Sequence, residues 1–180
     1  SGGELATAET ELIKIFKSAG YKVVDQQQVA SVREWDTVGE IMAEPTGPAA
    51  RQMAARFHAG LLIIGRALGE QGDRVHGLAT ARGRVELRVI VPITGEVIFS
   101  DGVTESGADA TPRFAVKKAF VQAVRRLAPR VLQAVGEATG GPTQAPELAA
   151  QAGGITGAEE AAAAGRKLRV AVAPFDDRSG

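Results

Sequence analysis

The most regular pattern in the chain is an alternation of apolar and charged residues that begins near residue 84. The apolar positions are Val85, Leu87, Val89 and Val91, and the charged positions between them are Arg84, Glu86 and Arg88. Thr94-Gly95 then predicts a turn, after which residues 96–103 return as a second strand. A period of two with one polar face is typical of an antiparallel hairpin that is exposed to water on one side. We expect the charged ladder to face solvent and to discourage stray edge pairing.

Four other segments carry apolar residues at the spacing of a helix. They are residues 5–18, 26–42, 48–59 and 113–135. Gly20 and Gly60 stand where a helix typically ends. Pro48 and Pro112 stand in a first turn, where proline fits. Pro129 lies inside the last segment, and we expect a kink or a break near it because proline removes a backbone hydrogen bond.

Two short apolar runs, residues 21–25 and 61–67, predict strands on either side of the second and third helices. Because helices separate them, we expect these strands to run parallel, as a right-handed crossover unit. A turn is expected at residues 70–73, where the sequence is Glu-Gln-Gly-Asp. Together these elements predict an α+β fold, with a mixed, mostly antiparallel four-strand sheet and helices packed on it, followed by a linker and one extra strand.

Composition divides the chain into three parts. Residues 4–136 carry the regular elements and are predicted to form one α/β domain. Of the thirty residues 136–165, nineteen are Gly, Ala or Pro, and we interpret residues 137–167 as a linker rich in these three types. Residues 168–175 then show a strong strand pattern. This strand is expected either to be the first strand of a truncated second domain, residues 168–180, or to add to the edge of a sheet.

Overall composition narrows the classes of function. Lys and Arg total 21, as do Asp and Glu, so no net charge draws the molecule toward nucleic acid or an anionic membrane. Aromatic residues make up only 4%, which disfavours base-stacking platforms. The chain has no cysteine, which excludes disulfides and cysteine nucleophiles. No apolar run reaches the roughly 18 residues of a membrane span. The sequence opens at Ser1 without Met, and we expect any signal peptide or lipid anchor to precede it.

Side chains suited to catalysis or metal binding form no recognisable motif. The two histidines, His58 and His76, have no partner at metal-ligand spacing. Neither a phosphate-binding glycine loop nor a G-x-S-x-G elbow occurs. Glu159-Glu160 and Asp176-Asp177 are expected in the linker and in a turn, where solvated charge is the simpler interpretation. We therefore predict no catalytic residue, no metal ligand, no cofactor and no enzyme activity.

Basic residues concentrate on the last predicted helix. Residues 111–138 carry six basic side chains and one acidic side chain. The candidate partner-binding residues are Lys118, Arg125, Arg126 and Arg130, which lie off the apolar stripe. They either contact an acidic partner, peptidoglycan or nucleic acid, or form a solvated face that balances the acidic first part of the chain; the solvated face is the simpler interpretation. A small-ligand or nucleic-acid binding domain that uses residues 113–130 stays the alternative function.

Two stretches of the sequence are similar to bacterial envelope domains. The block of residues 57–135 combines an Ala-Gly-Leu-Leu-Ile-Ile-Gly run at 59–65, the hairpin turn, Asp101-Gly102 and a basic, Ala-rich helix. Residues 170–180, Val-Ala-Val-Ala-Pro-Phe-Asp-Asp-Arg-Ser-Gly, are similar to the first strand and turn of CsgG-like and TolB amino-terminal domains. The chain thus resembles envelope domains of the FlgT, CsgG and TolB amino-terminal type.

This resemblance implies a mixed sheet covered by helices, in a periplasmic or outer-membrane-associated setting. On that basis we expect a non-catalytic protein-interaction or scaffolding domain of a bacterial cell-envelope or lipoprotein assembly system. We expect its partners to be other envelope proteins, and a homo-oligomer is left open. We expect no nucleic-acid partner and no membrane span in this segment. The rival from another class is an enzyme or small-ligand domain whose site forms only in three dimensions.

Overall fold

A computed structural model describes residues 2–24, 40–41, 43–44, 47–140, 169–172 and 176–177. Its helices are α1 (Gly2–Ser18), α2 (Pro48–Phe57) and α3 (Pro112–Thr139). Its strands are β1 (Lys22–Val23), β2 (Leu61–Val75), β3 (Leu78–Val91), β4 (Glu96–Asp109), β5 (Arg169–Val172) and β6 (Asp176–Asp177). The predicted α+β class is confirmed. The helix predicted at residues 26–42 lies outside the described residues, apart from helical Glu40 and Ile41.

The strands form one mixed sheet in the order β1-β5-β2-β3-β4, and β6 pairs farther along β2. Strands β2, β3 and β4 are antiparallel neighbours, whereas β5 runs parallel to both β1 and β2. The predicted parallel orientation of the first two strands is therefore confirmed, but β5 separates them. The extra strand lies inside the sheet of this chain rather than at its edge. That residues 168–180 also begin a second domain stays a prediction.

The central hairpins are longer than the sequence predicts. The turn expected at residues 70–73 is wrong, because these residues lie within β2 and pairing with β3 continues beyond them. A register shift between Gln71 and Arg74 accommodates the polar cluster within the strand. The chain instead turns at His76 and Gly77, whose φ angles are 50° and 82°. Positive φ at both central residues is typical of a type I′ turn, whose twist matches that of the strands.

One face of the sheet packs against α1 and α3. The inward residues of β3, at odd-numbered positions, are buried against apolar side chains of both helices, among them Phe16, Phe120 and Leu127. Thr111 caps α3 by accepting a hydrogen bond from the backbone N–H of Phe114. The helix continues through Pro129 to Thr139, so of the predicted kink or break, the break does not occur. Residues on both sides of Pro129 are buried, and their packing offsets the cost of about 3 kcal/mol that a proline inside a helix imposes.

Helix α3 lies unusually close to the sheet at two glycines. A Cβ on Gly107 would stand 2.1 Å from the carbonyl oxygen of Ala115, and a Cβ on Gly83 would stand 2.9 Å from the Cβ of Ala119. Both distances are below what real side chains tolerate, so only glycine permits this approach. The two glycines therefore determine how deeply the first half of α3 sits on β3 and β4.

The opposite face of the sheet is covered only in part. Helix α2 packs Met53 and Phe57 against a second apolar cluster that includes Leu62, Ile64 and Ile90. Farther along β3 and β4, no helix of the described part of the chain covers this face, and its side chains are exposed or half-buried. The alternation seen in the sequence thus gives one buried and one solvated face, as predicted.

Replacing Gly107 with alanine tests this close approach. The added methyl group would overlap backbone atoms of α3, so we expect Gly107→Ala to lower the free energy of unfolding by about 2–3 kcal/mol. Gly136→Ala is the matched control, because Gly136 lies within α3 and no atom lies within 4 Å of the position that its Cβ would take. It should raise stability by about 0.5–1 kcal/mol. Urea unfolding measures both values, and a Gly107→Ala protein as stable as the parent would contradict the described seating of α3.

Candidate functional site

All four candidate residues on α3 are exposed, yet each is ion-paired with a carboxylate of its own chain. The pairs are Lys118–Asp109 at 2.5 Å, Arg125–Glu11 at 2.7 Å, Arg126–Glu105 and Arg130–Asp101. One partner lies on α1 and three lie on β4. The structure therefore brings the candidate cations together on one surface, together with an equal number of anions.

The spacing of the pairs at Asp109 and Glu105 follows from helix and strand geometry. Asp101, Glu105 and Asp109 are four residues apart, so the period of two places all three on the strand face that lies under α3. Four strand residues span roughly 14 Å. The eight residues from Lys118 to Arg126 span roughly 12 Å along the helix. The two rows of charge therefore match closely over this part of the antiparallel helix and strand.

These four ion pairs lie at a solvated surface. The cationic side chains are 49–69% exposed, whereas those of Glu11 and Glu105 are 16% and 20% exposed. The hydrogen bond from Lys118, followed by that from the backbone N–H of Ala110, lowers the pKa of Asp109 below its ordinary value. Exposed pairs stabilise a protein only weakly. Their main effect here is on the charge of the outer surface of α3, where a carboxylate compensates each of the four cations.

The sequence analysis missed the three carboxylates on β4. A signal was present, because acidic residues at every fourth strand position preceded a helix with cations at residues 118, 126 and 130. Recognising it requires knowing that α3 folds back over β4 rather than over another strand.

The uncovered part of the sheet carries a different surface. On β3, Arg84 and Glu86 form an ion pair of 2.8 Å, and the side chain of Glu86 lies over Gly102 of β4. From Ser100 onward, the remaining residues of β4 on this face are small and uncharged. They are Ser100, Thr104, Ser106 and Ala108. A charged ladder on the inner strand thus lies beside a neutral strip on the edge strand.

Strand β4 ends the sheet on this side. Among the described residues, no strand pairs with its outer edge. Eleven consecutive residues of β4, from Phe99 to Asp109, pair with β3 in unbroken register. The opposite edge of the sheet is formed by β1, which is only two residues long. The edge of β4 is therefore a long row of backbone donors and acceptors. Two of its groups already have partners, because the N–H of Gly102 donates to the Asp101 carboxylate and the C=O of Ala108 accepts from Lys118.

A shallow cleft lies near the far end of the β2–β3 hairpin. Its volume is about 620 Å³, and polar side chains of Glu70, Asp73, Thr80, Arg82 and Ser106 contribute to its walls. The cleft lies on the uncovered side and is open to solvent. It is the feature of the described residues that bears most directly on the small-ligand alternative.

The other predicted sites do not converge. His58 caps α2 and His76 lies in the β2–β3 turn, so the length of β2 separates the two histidines. No three His, Cys, Asp or Glu residues within the described ranges are grouped as metal ligands. The turn expected at Asp176-Asp177 is wrong, because these residues form β6, and Glu159-Glu160 lies outside the described residues. None of the described helices is both long and apolar enough to span a membrane.

A scan against protein-family models gives no match to this chain, and neither does a search of curated proteins.

The Lys118–Asp109 pair predicts a measurable pKa change. Lys118→Gln removes the largest cause of the lowered pKa of Asp109, so this pKa should rise toward its ordinary value. Lys117→Gln is the matched control, because the Nζ of Lys117 lies over the Phe114 ring, 5.7 Å from its centroid. NMR titration of the carboxyl carbons measures the pKa in each protein.

The sign of the linked stability follows from the lowered pKa. The pair stabilises the fold above the ordinary pKa of aspartate, and this contribution disappears as the pH falls through the lowered pKa of Asp109. Lys118→Gln should therefore weaken this acid dependence. An Asp109 pKa that is unchanged in Lys118→Gln, or equally shifted in Lys117→Gln, would contradict the assigned pair.

Proposed function

We propose that this chain is a non-catalytic protein-interaction and scaffolding domain of a bacterial cell-envelope assembly system, in the periplasm or associated with the outer membrane. The observation that carries the proposal is the open surface of β3 and β4, with its charged ladder and long unpaired edge. The envelope setting is supported by the sequence resemblance to domains of the FlgT, CsgG and TolB amino-terminal type.

The geometry of this surface suits the recognition of another protein. The outer edge of β4 offers backbone N–H and C=O groups that can pair with an added strand, which provides affinity without a particular side chain. Beside it, the Arg84–Glu86 ladder offers charges of both signs, which favours one register and orientation of the partner. Two helices packed behind the sheet hold both features rigidly.

Nucleic-acid binding through residues 113–130 is the weaker alternative. The candidate cations of this segment, Lys118, Arg125, Arg126 and Arg130, are each compensated by a carboxylate of the chain. Phe114 is the exposed aromatic ring of this helix, and Lys117 lies over it. A polyanion would have to displace intramolecular carboxylates, which removes much of the gain from releasing its counterions.

Site-specific photocrosslinking in the source bacterium tests the proposal. A photoreactive amino acid at Arg84, on the uncovered face of β3, should yield discrete adducts with envelope proteins that mass spectrometry identifies. The same replacement at exposed Arg51 on α2 is the control and should yield none of them. Losing the exposed Arg84–Glu86 pair should cost little stability.

Three results would contradict the proposal. They are adducts that do not differ between the two positions, adducts to nucleic acid in place of protein, and a full-length protein that fractionates outside the cell envelope.

A further inference from the structure

We propose that the outer edge of β4 pairs with β4 of a second copy of the chain, antiparallel, with Thr104 of one chain directly opposite Thr104 of the other. This inference rests on the proposed interaction role of the surface and names one partner for it. It gives a continuous sheet across two chains, with both α3 helices on the same side.

The edge lacks most of the features that usually prevent such pairing. Exposed edge strands are protected by charged side chains, above all lysine, and by prolines, bulges or short length. The charges present on β4 are the three carboxylates that pair with α3. Between Phe99 and Asp109, β4 contains no Lys, Arg or Pro, and its register with β3 is unbroken. The irregularity of the β3–β4 ladder lies before this stretch, between Val89 and Ile90 on the β3 side. This stretch is therefore eleven residues in regular register, in which the N–H of Gly102 and the C=O of Ala108 are hydrogen-bonded to side chains of the same chain.

Symmetry limits how two such edges can meet. Two identical strands that pair antiparallel are related by a two-fold axis perpendicular to the sheet, so the same faces of both sheets lie on the same side. In such a pair, β4 residues that face α3 in one chain lie opposite β4 residues that face α3 in the other chain. The two-fold axis passes between one residue of β4 and the same residue of the second chain. Each choice of that central residue defines one register.

The acidic residues of β4 select among these registers. An axis at Val103 places Asp101 opposite Glu105, and an axis at Glu105 places that residue opposite itself. Directly opposed like charges destabilise a pair of strands. An axis at Thr104 avoids both contacts.

The register centred on Thr104 also gives the greatest overlap. On the α3 side it pairs Phe99 with Asp109, Asp101 with Gly107 and Val103 with Glu105, so all eleven residues take part. Axes at Gly102 or Ser106 also keep carboxylates apart, but each leaves only seven of the eleven residues paired. Every carboxylate can keep its cation on α3, so no intramolecular ion pair has to break. The added strand replaces two weaker contacts, the hydrogen bonds from the Gly102 N–H to Asp101 and from Lys118 to the Ala108 carbonyl.

The uncovered face of β4 fits the same register. Ser100 meets Ala108, Gly102 meets Ser106, and Thr104 meets its own copy. These side chains are small and uncharged, so none of them blocks the approach of a second strand. Opposed threonines favour cross-strand pairing.

Charge variants at Thr104 test the register. Sedimentation velocity at high micromolar concentration should show a dimer for the parent chain. Thr104→Lys and Thr104→Glu should each be monomeric, because two like charges meet across the axis, and an equimolar mixture should restore the dimer. Ser18→Lys, an exposed change at the end of α1, is the matched charge control and should remain dimeric. Circular dichroism confirms that each variant is folded.

Cysteine variants provide an independent measurement, because the chain has no cysteine of its own. Thr104→Cys should form an intermolecular disulfide, since the Cα atoms of directly opposed residues lie about 4.5–5.5 Å apart, within the separation of about 4.4–6.8 Å that a disulfide spans. Ser100→Cys, on the same face of the same strand, is the control. In this register its two copies are eight residues apart along the strand, or roughly 27 Å, and should not cross-link.

Each contrary result overturns the inference. A parent chain that is monomeric, a dimer that Thr104→Lys leaves intact, or a Ser100→Cys protein that cross-links as well as Thr104→Cys would do so. A monomer in which the β4 amides that point away from β3 resist hydrogen exchange would assign the edge to residues of the same chain, with 141–168 as the first to examine. None of these results affects the crosslinking test at Arg84, so failure of this inference is distinguishable from failure of the proposed function.

Discussion

Helix α3 lies so close to β4 that one methyl group on Gly107 would overlap the carbonyl oxygen of Ala115. This contact, with that at Gly83, determines the distance between the sheet and the first half of α3. It allows Phe120 and Leu127 to reach the core from the inner side of the helix. On the outer side it places the cations of α3 within reach of the carboxylates on β4. Packing and surface charge therefore depend on the same close approach.

The ion pairs between α3 and β4 determine which surfaces remain available to a partner. Over the stretch of β4 that could meet another strand, three cations of α3 balance the three carboxylates of the strand. For the same reason, the outer face of α3 loses much of the attraction for polyanions that its sequence indicates. The open face of β3 and β4 and the outer edge of β4 are what the fold leaves accessible, and both suit contact with protein.

Local patterns in the sequence predict the local elements well. The hairpin at Thr94-Gly95, the start of α3 after Thr111 and the solvated position of Arg126 all depend on near neighbours in the chain. The features that were missed depend on distant residues. Pairing with β3 carries β2 through its Gly72-Asp73 cluster, packing carries α3 through Pro129, and β5 enters the sheet from far along the chain. Local propensity cannot supply these contacts.

Retention on immobilised heparin at low salt tests most directly whether the cations of α3 are compensated within the chain. The account predicts that the parent protein elutes without retention and that a protein with Arg125→Gln and Arg126→Gln elutes at the same volume. A protein with Glu105→Gln and Asp109→Asn, which removes the carboxylates beside Arg126 and Lys118, should gain retention. Strong retention of the parent that is lost on neutralising Arg125 and Arg126 would contradict the account.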